Sequence, residues 1–528
     1  MNSSALHAFR RNSAVAALCC AVTAAILPGF AAAEPGRTWY VGADAAADGN
    51  GSQTSPFNSL AAVQAAAGPG DTIVVLAGSS PLDGGLALAP RQKLLGRGGT
   101  LTNTTTAHDG DAVRLAPDTE VRDLTIAGAQ RAGIYGRNVG SVLLSGNTVS
   151  GTNRACRTGF VVQPFPPMLG VPFGMSLPAA PNLVALTNGW AGIMVDSDTG
   201  PSTVTIERNT VRDTACGDGI DVRTSGAAQV SATLTGNLTE DINEGLSKFS
   251  VLAVGLQSTG ASALTATLRD NVQRRIALPA NDPKNAVADS EGLFINAAER
   301  ARMRITIAGN RYEQGGGHFS ANGIEFVTSN GTPDSEVTLT DSEFRDVPGD
   351  IVQNLNLSNE GARHVMTIDG LVASGSSFPG AALNPIVPGN LGTCVFSASF
   401  GRANHTALTL RNARLSRCSA DGLGVYAYSP AGPDPARHLM TFAVSDTTIS
   451  GAQVADLHVR AVGDLTLTGA LAGTQVAGAV ALGHSGGTLG PGSVLDFTGG
   501  GNCLTPAAAE VLARSPLPVR TGTGISCG

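Results

Sequence analysis

Short runs of alternating apolar and polar residues recur along the chain, and each run turns at Asn, Asp or Gly. The segment VTIERNTVRDT (204–214) is typical, with a strand-like run, a turn and a second strand-like run. A third run often follows, as in AGIMVDS (191–197) and DGIDVRT (218–224). Alternation is the two-residue period of a β-strand, so each unit predicts three short strands.

The unit returns at intervals of roughly 25 to 40 residues, which is the range of repeat proteins. Turns separate the runs, and no long amphipathic helix lies between them. The pattern therefore predicts a solenoid of β coils, each of which buries its apolar edge against its neighbours. Asparagines that recur at one corner predict a ladder of side-chain hydrogen bonds, and they are Asn147, Asn209, Asn237, Asn271, Asn310 and Asn412.

The segment TWYVGADAAADGNGSQTSPFNSLAAVQAAAGPGDTIVVLAG (38–78) resembles the opening of secreted right-handed parallel β-helix proteins of the pectate-lyase-like superfamily. The resemblance implies a first strand, a capping helix within FNSLAAVQAAAG (57–68) and a strand after PGD. LLGRGGT (94–100) is similar to an early coil of that fold. The predicted fold class is all-β: a right-handed parallel β-helix solenoid with a short N-terminal capping helix and a disulfide-clasped C-terminal cap.

Segment boundaries follow from composition. Residues 1–33 have the charged start, apolar middle and small-residue end of a signal peptide. We expect an N-terminal cap and first coils over 34–100, repeats over 101–481, and a Gly-rich segment with a cap over 482–528. Two insertions, 157–188 and 375–405, interrupt the rhythm, and they are interpreted either as binding walls or as packing elements.

Charge and hydropathy exclude some partners. The 528 residues carry a net charge of −7 at pH 7, and an acidic surface repels nucleic acid. Past the signal, no run reaches the roughly 20 apolar residues of a membrane helix. We expect a monomeric secreted or periplasmic protein whose partner is a polysaccharide or cell-surface glycan.

Six cysteines follow the signal, and an even number in an exported chain favours disulfides. Their spacing predicts the pairs Cys156–Cys216, Cys394–Cys418 and Cys503–Cys527. The first pair is expected because both cysteines lie just past the same corner of successive coils, where one coil spacing suits a disulfide. The last pair is expected to clasp the terminal coil, whose open edge would otherwise promote aggregation.

Stacking the third strands places their outward side chains in two columns. The predicted pairs are Tyr135 with Arg137, Met194 with Asp196, Asp221 with Arg223, Phe294 with Asn296, and Glu325 with Val327. NEGLSKFS (243–250) adds Glu244 and Lys248. Since Ile220 and Val222 point inward, Asp221 and Arg223 are expected to face solvent. Replacing them is then expected to change stability by no more than about 0.5 kcal/mol.

This arrangement resembles the site of pectate lyases, because carboxylates suit Ca²⁺ and a basic side chain can remove a proton beside a uronate carboxyl group. The resemblance implies catalytic Asp221, Arg223 and Lys248, and a Ca²⁺ site at Asp196, Asp221 and Glu244. Substrate-binding positions are implied at Arg137, Asp196, Phe294 and Glu325.

Other interpretations of the same face stay open. The charges can form solvated ion pairs across coils, each worth little. Asp196 with Asp198, or Asp218 with Asp221, can serve as a glycosidase carboxyl pair, although the NTD, DD, GHG and RIK pattern of polygalacturonases is not reproduced. His318 lies in a turn beside the face and is a further candidate. A non-catalytic solenoid for binding, adhesion or surface structure is the alternative to a polyuronate lyase.

Overall fold

The computed structural model describes residues 36–161, 187–242, 249–277, 289–316, 320–358, 361–376, 392–429, 438–522 and 525. Its strands form three long parallel sheets, and the chain visits the sheets in turn, so that one strand from each makes a coil. Residues 201–224 illustrate one coil, with strands Pro201–Glu207, Thr210–Arg212 and Ile220–Thr224. The predicted parallel β-helix solenoid is confirmed.

The strands of the three sheets have the following bounds. The first sheet comprises Thr38–Val41, Thr72–Leu76, Lys93–Arg97, Glu120–Arg122, Ser141–Ser145, Pro201–Glu207, Gln229–Thr235, Ala263–Arg269, Arg302–Ala308, Asp334–Thr340, Arg363–Asp369, His405–Arg411, Leu439–Ser445, Thr466–Ala472, Val494–Phe497 and Val519–Thr521. The second sheet comprises Thr100–Asn103, Thr125–Ala129, Thr148–Ser150, Thr210–Arg212, Leu238–Glu240, Val272–Ile276, Arg311–Gly315, Glu343–Val347, Val372–Ser376, Arg414–Ser416, Thr448–Ser450, Gln475–Val476 and Cys503–Leu504. The third sheet comprises Leu86–Ala87, Val113–Arg114, Ile134–Arg137, Ile193–Ser197, Ile220–Thr224, Phe249–Ser258, Asp289–Glu299, Ser320–Gly331, Val352–Asn356, Val395–Phe400, Asp421–Ser429, Ala455–Gly463 and Val480–Ser485, with Thr158–Val161 and Thr187–Gly189 joined at its side.

Register between coils follows the sequence repeat. Val204 pairs with Ala232 in the first sheet, and Val211 pairs with Thr239 in the second. Inward side chains of every coil meet in one continuous apolar core, to which Ile206, Ile220 and Val222 contribute with no exposed area. Each coil therefore supplies only part of the core, and its neighbours complete it.

The asparagine corner forms the predicted ladder over four coils. The amide Nδ2 of Asn147 donates to Oδ1 of Asn209 at 2.9 Å, and Asn209 donates to Asn237 at 3.1 Å. Asn237 donates to Asn271 at 2.9 Å. Two predicted members do not extend it: Asn310 donates to Gln273, and exposed Asn412 donates to Asp369. The ladder stabilises the corner where the first sheet turns into the second.

Short helices lie near both ends. Leu60–Ala66 falls within the predicted capping segment, and the Ser59 side chain accepts from the backbone N–H of Ala62. Pro506–Ala513 is capped in the same way by Thr505. A one-turn 3₁₀ segment spans Ala107–Gly110. Strands Val494–Phe497, Cys503–Leu504 and Val519–Thr521 still pair with the sheets, so coils continue past the boundary predicted at 481.

The cysteine predictions have mixed outcomes. Cys394 and Cys418 form a disulfide with a Cα–Cα distance of 5.5 Å, within the usual range. Cys503 is disulfide-bonded, and its predicted partner Cys527 lies outside the described residues. Cys156 and Cys216 both lie in the described part of the chain, and the disulfide predicted between them is not formed.

The geometry of the corner explains the missing bridge. Cys156 has a positive φ of 46° in a turn that its N–H closes onto the carbonyl of Asn153, and its side chain is half-buried. Cys216 has no exposed area, and its carbonyl accepts from the Asn153 side chain at 2.5 Å. Cys156 thus lies half-buried in a turn, whereas Cys216 is fully buried.

Candidate functional site

The outer face of the third sheet is where the sequence predicted a site. Residues on this face alternate with core residues such as Ile193 and Val195. The predicted first column is in register: Tyr135 pairs with Met194, Met194 with Asp221, and Phe294 with Glu325, while Gly255 links Asp221 to Phe294. The predicted alignment of the outward side chains is therefore confirmed.

Exposure along this column differs from the prediction. Asp221 is 0% exposed, Phe294 2% and Glu325 4%. Their burial accompanies a second apolar cluster on the outer face, separate from the core, which contains Leu252, Phe294, Val327, Leu355, Leu357, Phe396, Ala398, Phe400 and Tyr426. The expectation that Asp221 faces solvent is wrong, because the outer face of the sheet is packed as well as the inner one.

The outer face stays accessible near its N-terminal end. There the side chains of Arg137 and Asp196 are 57% and 22% exposed. Tyr135 and Trp190 are partly exposed, with ring centroids 5.5 Å apart in an edge-on arrangement. Two of the four predicted substrate-binding residues, Arg137 and Asp196, therefore lie at an accessible surface, whereas Phe294 and Glu325 do not.

The guanidinium group of Arg131 contacts both rings. Its guanidinium carbon lies 4.3 Å from the Trp190 ring centroid and 4.9 Å from that of Tyr135, within cation–π range. Buried Asp111 accepts two parallel hydrogen bonds from Arg131, at 2.8 and 2.7 Å. The bidentate pair fixes the guanidinium plane against both rings. We call Arg131, Tyr135, Arg137, Trp190, Asp196 and Arg223 the arginine–aromatic cluster.

Charged residues of this cluster change the pKa of the Tyr135 phenol. Burial raises its pKa, and the negative charge of Asp196 raises it further, while Arg131, Arg137 and Arg223 act in the opposite direction. Arg223 is 13% exposed and lies 3.8 Å from the Asp196 carboxylate. Arg137 forms an ion pair with Asp198. Three guanidinium groups thus act to lower the pKa of one tyrosine. Each of them also lies beside a carboxylate: Asp111, Asp198 or Asp196.

Asp221 is a buried acid rather than a surface charge. Burial raises its pKa to about 7, although Arg223 and a hydrogen bond with Asp218 oppose the increase. A hydrogen bond between these two carboxyl groups requires a proton on one of them, because two carboxylates have no donor between them. Gly255 makes room for the group, since a Cβ there would lie 2.5 Å from Asp221 Oδ1. At neutral pH Asp221 is therefore partly protonated.

Of the three predicted calcium ligands, Asp196 and Asp221 lie in the described ranges and Glu244 does not, so the calcium site stays a prediction. Arg223 lies beside the Asp196 carboxylate, and Asp221 has no exposed area. No group of three His, Cys, Asp or Glu side chains with metal-binding geometry occurs in the described ranges. Glu244, Lys248 and His318 lie outside those ranges, as do residues 162–186 of the first insertion and 377–391 of the second. Calcium binding remains a proposal, and no chemical step below depends on it.

A polar network continues along the buried stretch of the face. The Asn322 amide donates to Glu291, Glu325 and Gln353 at 3.1 to 3.3 Å. Gln353 in turn donates to Asp350, whose pKa burial raises to about 7. Glu325 therefore takes part in an internal hydrogen-bond network.

Sequence reasoning missed a group at the C-terminal end of the face. Nδ1 of His458 lies 2.9 Å from the Tyr426 hydroxyl and 3.2 Å from Oδ2 of buried Asp421. Burial and the negative charge of Asp421 raise the pKa of Tyr426. Arg460, two residues after His458, lines a surface pocket together with His458 and residues 481–485. The alternation in LHVR (457–460) predicts outward side chains for His458 and Arg460. It does not predict the contacts of His458 with Asp421 and Tyr426, because those residues belong to the preceding coil.

Comparison with known proteins identifies only distant structural similarities. No protein-family model matches the sequence, and no curated protein matches it. A lacto-N-biosidase of family GH136 from Eubacterium ramulus, as its selenomethionine derivative, is 9% identical with a TM-score of 0.27, covering 86% of this chain and 67% of that chain. The native form of that protein is 10% identical with a TM-score of 0.24, covering 92% and 67%.

A rhamnogalacturonan lyase is 10% identical with a TM-score of 0.18, covering 93% of this chain and 86% of that chain. Identities and TM-scores as low as these assign no activity to this chain. Among the described residues, no helix has the length and apolar character needed to cross a membrane.

Proposed function

We propose that this protein binds an acidic polysaccharide at the arginine–aromatic cluster. The observation that carries the proposal is the contact of Arg131 with the rings of partly exposed Tyr135 and Trp190, next to the 57% exposed side chain of Arg137 in the strand of Tyr135. Guanidinium groups match carboxylate geometry, which suits a uronate. Trp190 and Tyr135 add ring surface for the apolar face of a sugar. The signal-like residues 1–33 support a secreted or periplasmic location.

The chemistry that we propose for the bound polymer is β-elimination at a uronate. The predicted catalytic residues for this step are Asp221, Arg223 and Lys248, of which Lys248 lies outside the described residues. Asp221 has no exposed area, so its part there would be to hold Arg223 rather than to contact the sugar. Asp218, which also has no exposed area, belongs to the same buried unit.

A panel of glycans tests this function. Purified protein is titrated with polygalacturonate, alginate, a sulfated glycan and a neutral glycan, and each mixture is followed for the ultraviolet absorbance of an unsaturated uronate. We expect binding to the polyuronates, weaker binding at high salt because the contacts are ionic, and formation of product. Equal binding to the neutral glycan would contradict the proposal.

The second candidate is a non-catalytic binding solenoid. The burial of Asp221, Phe294 and Glu325 favours it, since these predicted site residues cannot touch a substrate where they lie. Binding without product on every polyuronate would support this alternative.

A further inference from the structure

The C-terminal end of the third sheet holds an acid–base arrangement that the predicted site does not include. Strands Asp421–Ser429 and Ala455–Gly463 are adjacent, and their register sets His458 beside Gly424 and Arg460 beside Tyr426. Because Gly424 has no side chain, the imidazole of His458 reaches across to Asp421 and Tyr426. Residues 37 positions apart in the chain thus meet on one face.

Asp421 determines the protonation of the ring. Its carboxylate is fully buried and lies 3.2 Å from Nδ1 of His458. A buried carboxylate at that distance favours the tautomer whose proton is on Nδ1. Nε2, which has no hydrogen-bond partner among the described residues, then carries the lone pair. Such a nitrogen is a base with a fixed orientation.

An open pocket lies beside this imidazole. It has a volume of about 240 Å³ and is lined by His458, Arg460 and residues 481–485. Gly483 faces open space, because the nearest atom to an added Cβ is Cγ of Arg460 at 3.8 Å. The volume is below the roughly 300–1,000 Å³ of pockets for drug-sized ligands. It suits one small anionic group, which the Arg460 guanidinium would bind.

We infer that His458 is the base, and Arg460 the carboxylate-binding group, of a uronate β-elimination site at this pocket. The inference rests on the proposed function for its substrate. Nε2 of His458 takes the proton from the carbon beside the carboxylate, and the electrons of that C–H bond form a carbon–carbon double bond. The glycosidic C–O bond at the next carbon breaks, its electron pair stays on the leaving oxygen, and water supplies a proton to that oxygen.

This site is distinct from the arginine–aromatic cluster, and it is an alternative location for the elimination proposed there. Nine strand spacings separate the strand of Tyr135 from that of His458 in the third sheet, which is about 43 Å at about 4.8 Å per spacing. The outer apolar cluster, which includes Phe294 and Phe396, lies between them. Binding at one end and cleavage at the other can therefore be measured separately.

Two variants test the inference by different routes. His458→Asn retains a donor toward Asp421 and removes Nε2. Gly483→Leu fills the pocket and leaves the contact between Asp421 and His458 in place. We expect each to lower kcat/KM on a polyuronate by at least about a hundredfold, with polymer binding at the cluster unchanged. The matched control is His405→Ala, which removes an exposed histidine from the first sheet.

Asp421 is a positioning residue, and its test separates kcat from KM. Asp421→Asn should lower kcat and leave KM unchanged, whereas Arg460→Gln should raise KM. A structural role alone would lower the melting temperature of the His458 variant without changing turnover.

The outcomes separate this inference from the proposed function. Absence of polyuronate binding would overturn the proposed function and, with it, the substrate of this site. Binding without product in the parent protein would overturn both this inference and the elimination chemistry proposed for the cluster, and would leave the binding proposal intact. Full turnover in both His458→Asn and Gly483→Leu would overturn the inference alone.

Discussion

Asp221 is the residue whose environment differs most from the sequence-based expectation. Alternation correctly placed it opposite Ile220 and Val222, yet it is fully buried beneath the outer face. Alternation reports which side of a strand a residue occupies, and it says nothing about what packs against that side. The predicted stability change of no more than about 0.5 kcal/mol therefore no longer applies to Asp221, because it assumed an exposed side chain.

Asp221 makes stability depend on pH with a definite sign. Its pKa is about 7 in the folded protein and about 3.9 in an unfolded chain. Between these values the folded state holds the proton that the unfolded state has lost. Stability therefore falls as pH rises from about 4 to about 7, and the loss is complete above that window.

Asp221→Asn removes this titration and should make the protein more stable than the parent at pH 8. At about pH 3, where the parent carboxyl is mostly protonated in both states, the two proteins should differ little. Thermal melting of both proteins at a series of pH values checks the prediction. Asp48→Asn, at an exposed carboxyl, is the control. Parallel stability curves for Asp221→Asn and the parent would contradict it.

At the scale of an element, the asparagine corner holds the first and second sheets together. Asn209 is buried, donates to the Leu144 carbonyl at 2.9 Å and accepts from the backbone N–H of Asn147 at 3.0 Å. Removing its side chain leaves these buried groups without partners. Each such group costs about 1–3 kcal/mol.

We therefore expect Asn209→Ala to lower the free energy of unfolding by about 2–4 kcal/mol. Asn412→Ala is the matched control, because Asn412 occupies the same corner but is exposed, and it should cost about 0.5 kcal/mol or less. Denaturant titration measures both. Equal losses for the two variants would show that the ladder does not stabilise this corner.

The cysteine corner gives a prediction at the same scale. In the native protein an alkylating reagent should modify half-buried Cys156, whereas buried Cys216 should react only after unfolding. Non-reducing peptide mapping should recover Cys394–Cys418, and the bridge of Cys503 remains predicted to end at Cys527. Recovery of a Cys156–Cys216 peptide would contradict the arrangement of this corner.

At the scale of the whole molecule, the sequence was sufficient for the architecture. The repeat predicted three strands per coil, and the register Tyr135–Met194–Asp221 followed from aligning the AGIYGRN, AGIMVDS and DGIDVRT segments. These properties are local and periodic, so a single sequence carries them.

The functional face was less predictable because it depends on contacts between coils. Leu252 and Phe396 join one outer apolar cluster although they lie far apart in the chain. The contact between Asp421 and His458 likewise depends on which coils are adjacent. Turn lengths and insertions determine that adjacency, and neither is periodic in this sequence.

The central claim is that the arginine–aromatic cluster binds acidic polysaccharide, and a calorimetric titration with an oligouronate tests it most directly. Arg137→Gln removes a side chain that is 57% exposed, so stability should be unchanged. We predict at least a tenfold weaker affinity, about 1.4 kcal/mol. The control is Arg212→Gln, an arginine of similar exposure on the second sheet. Equal affinity of the Arg137 and Arg212 variants, both at the parent value, would contradict the claim.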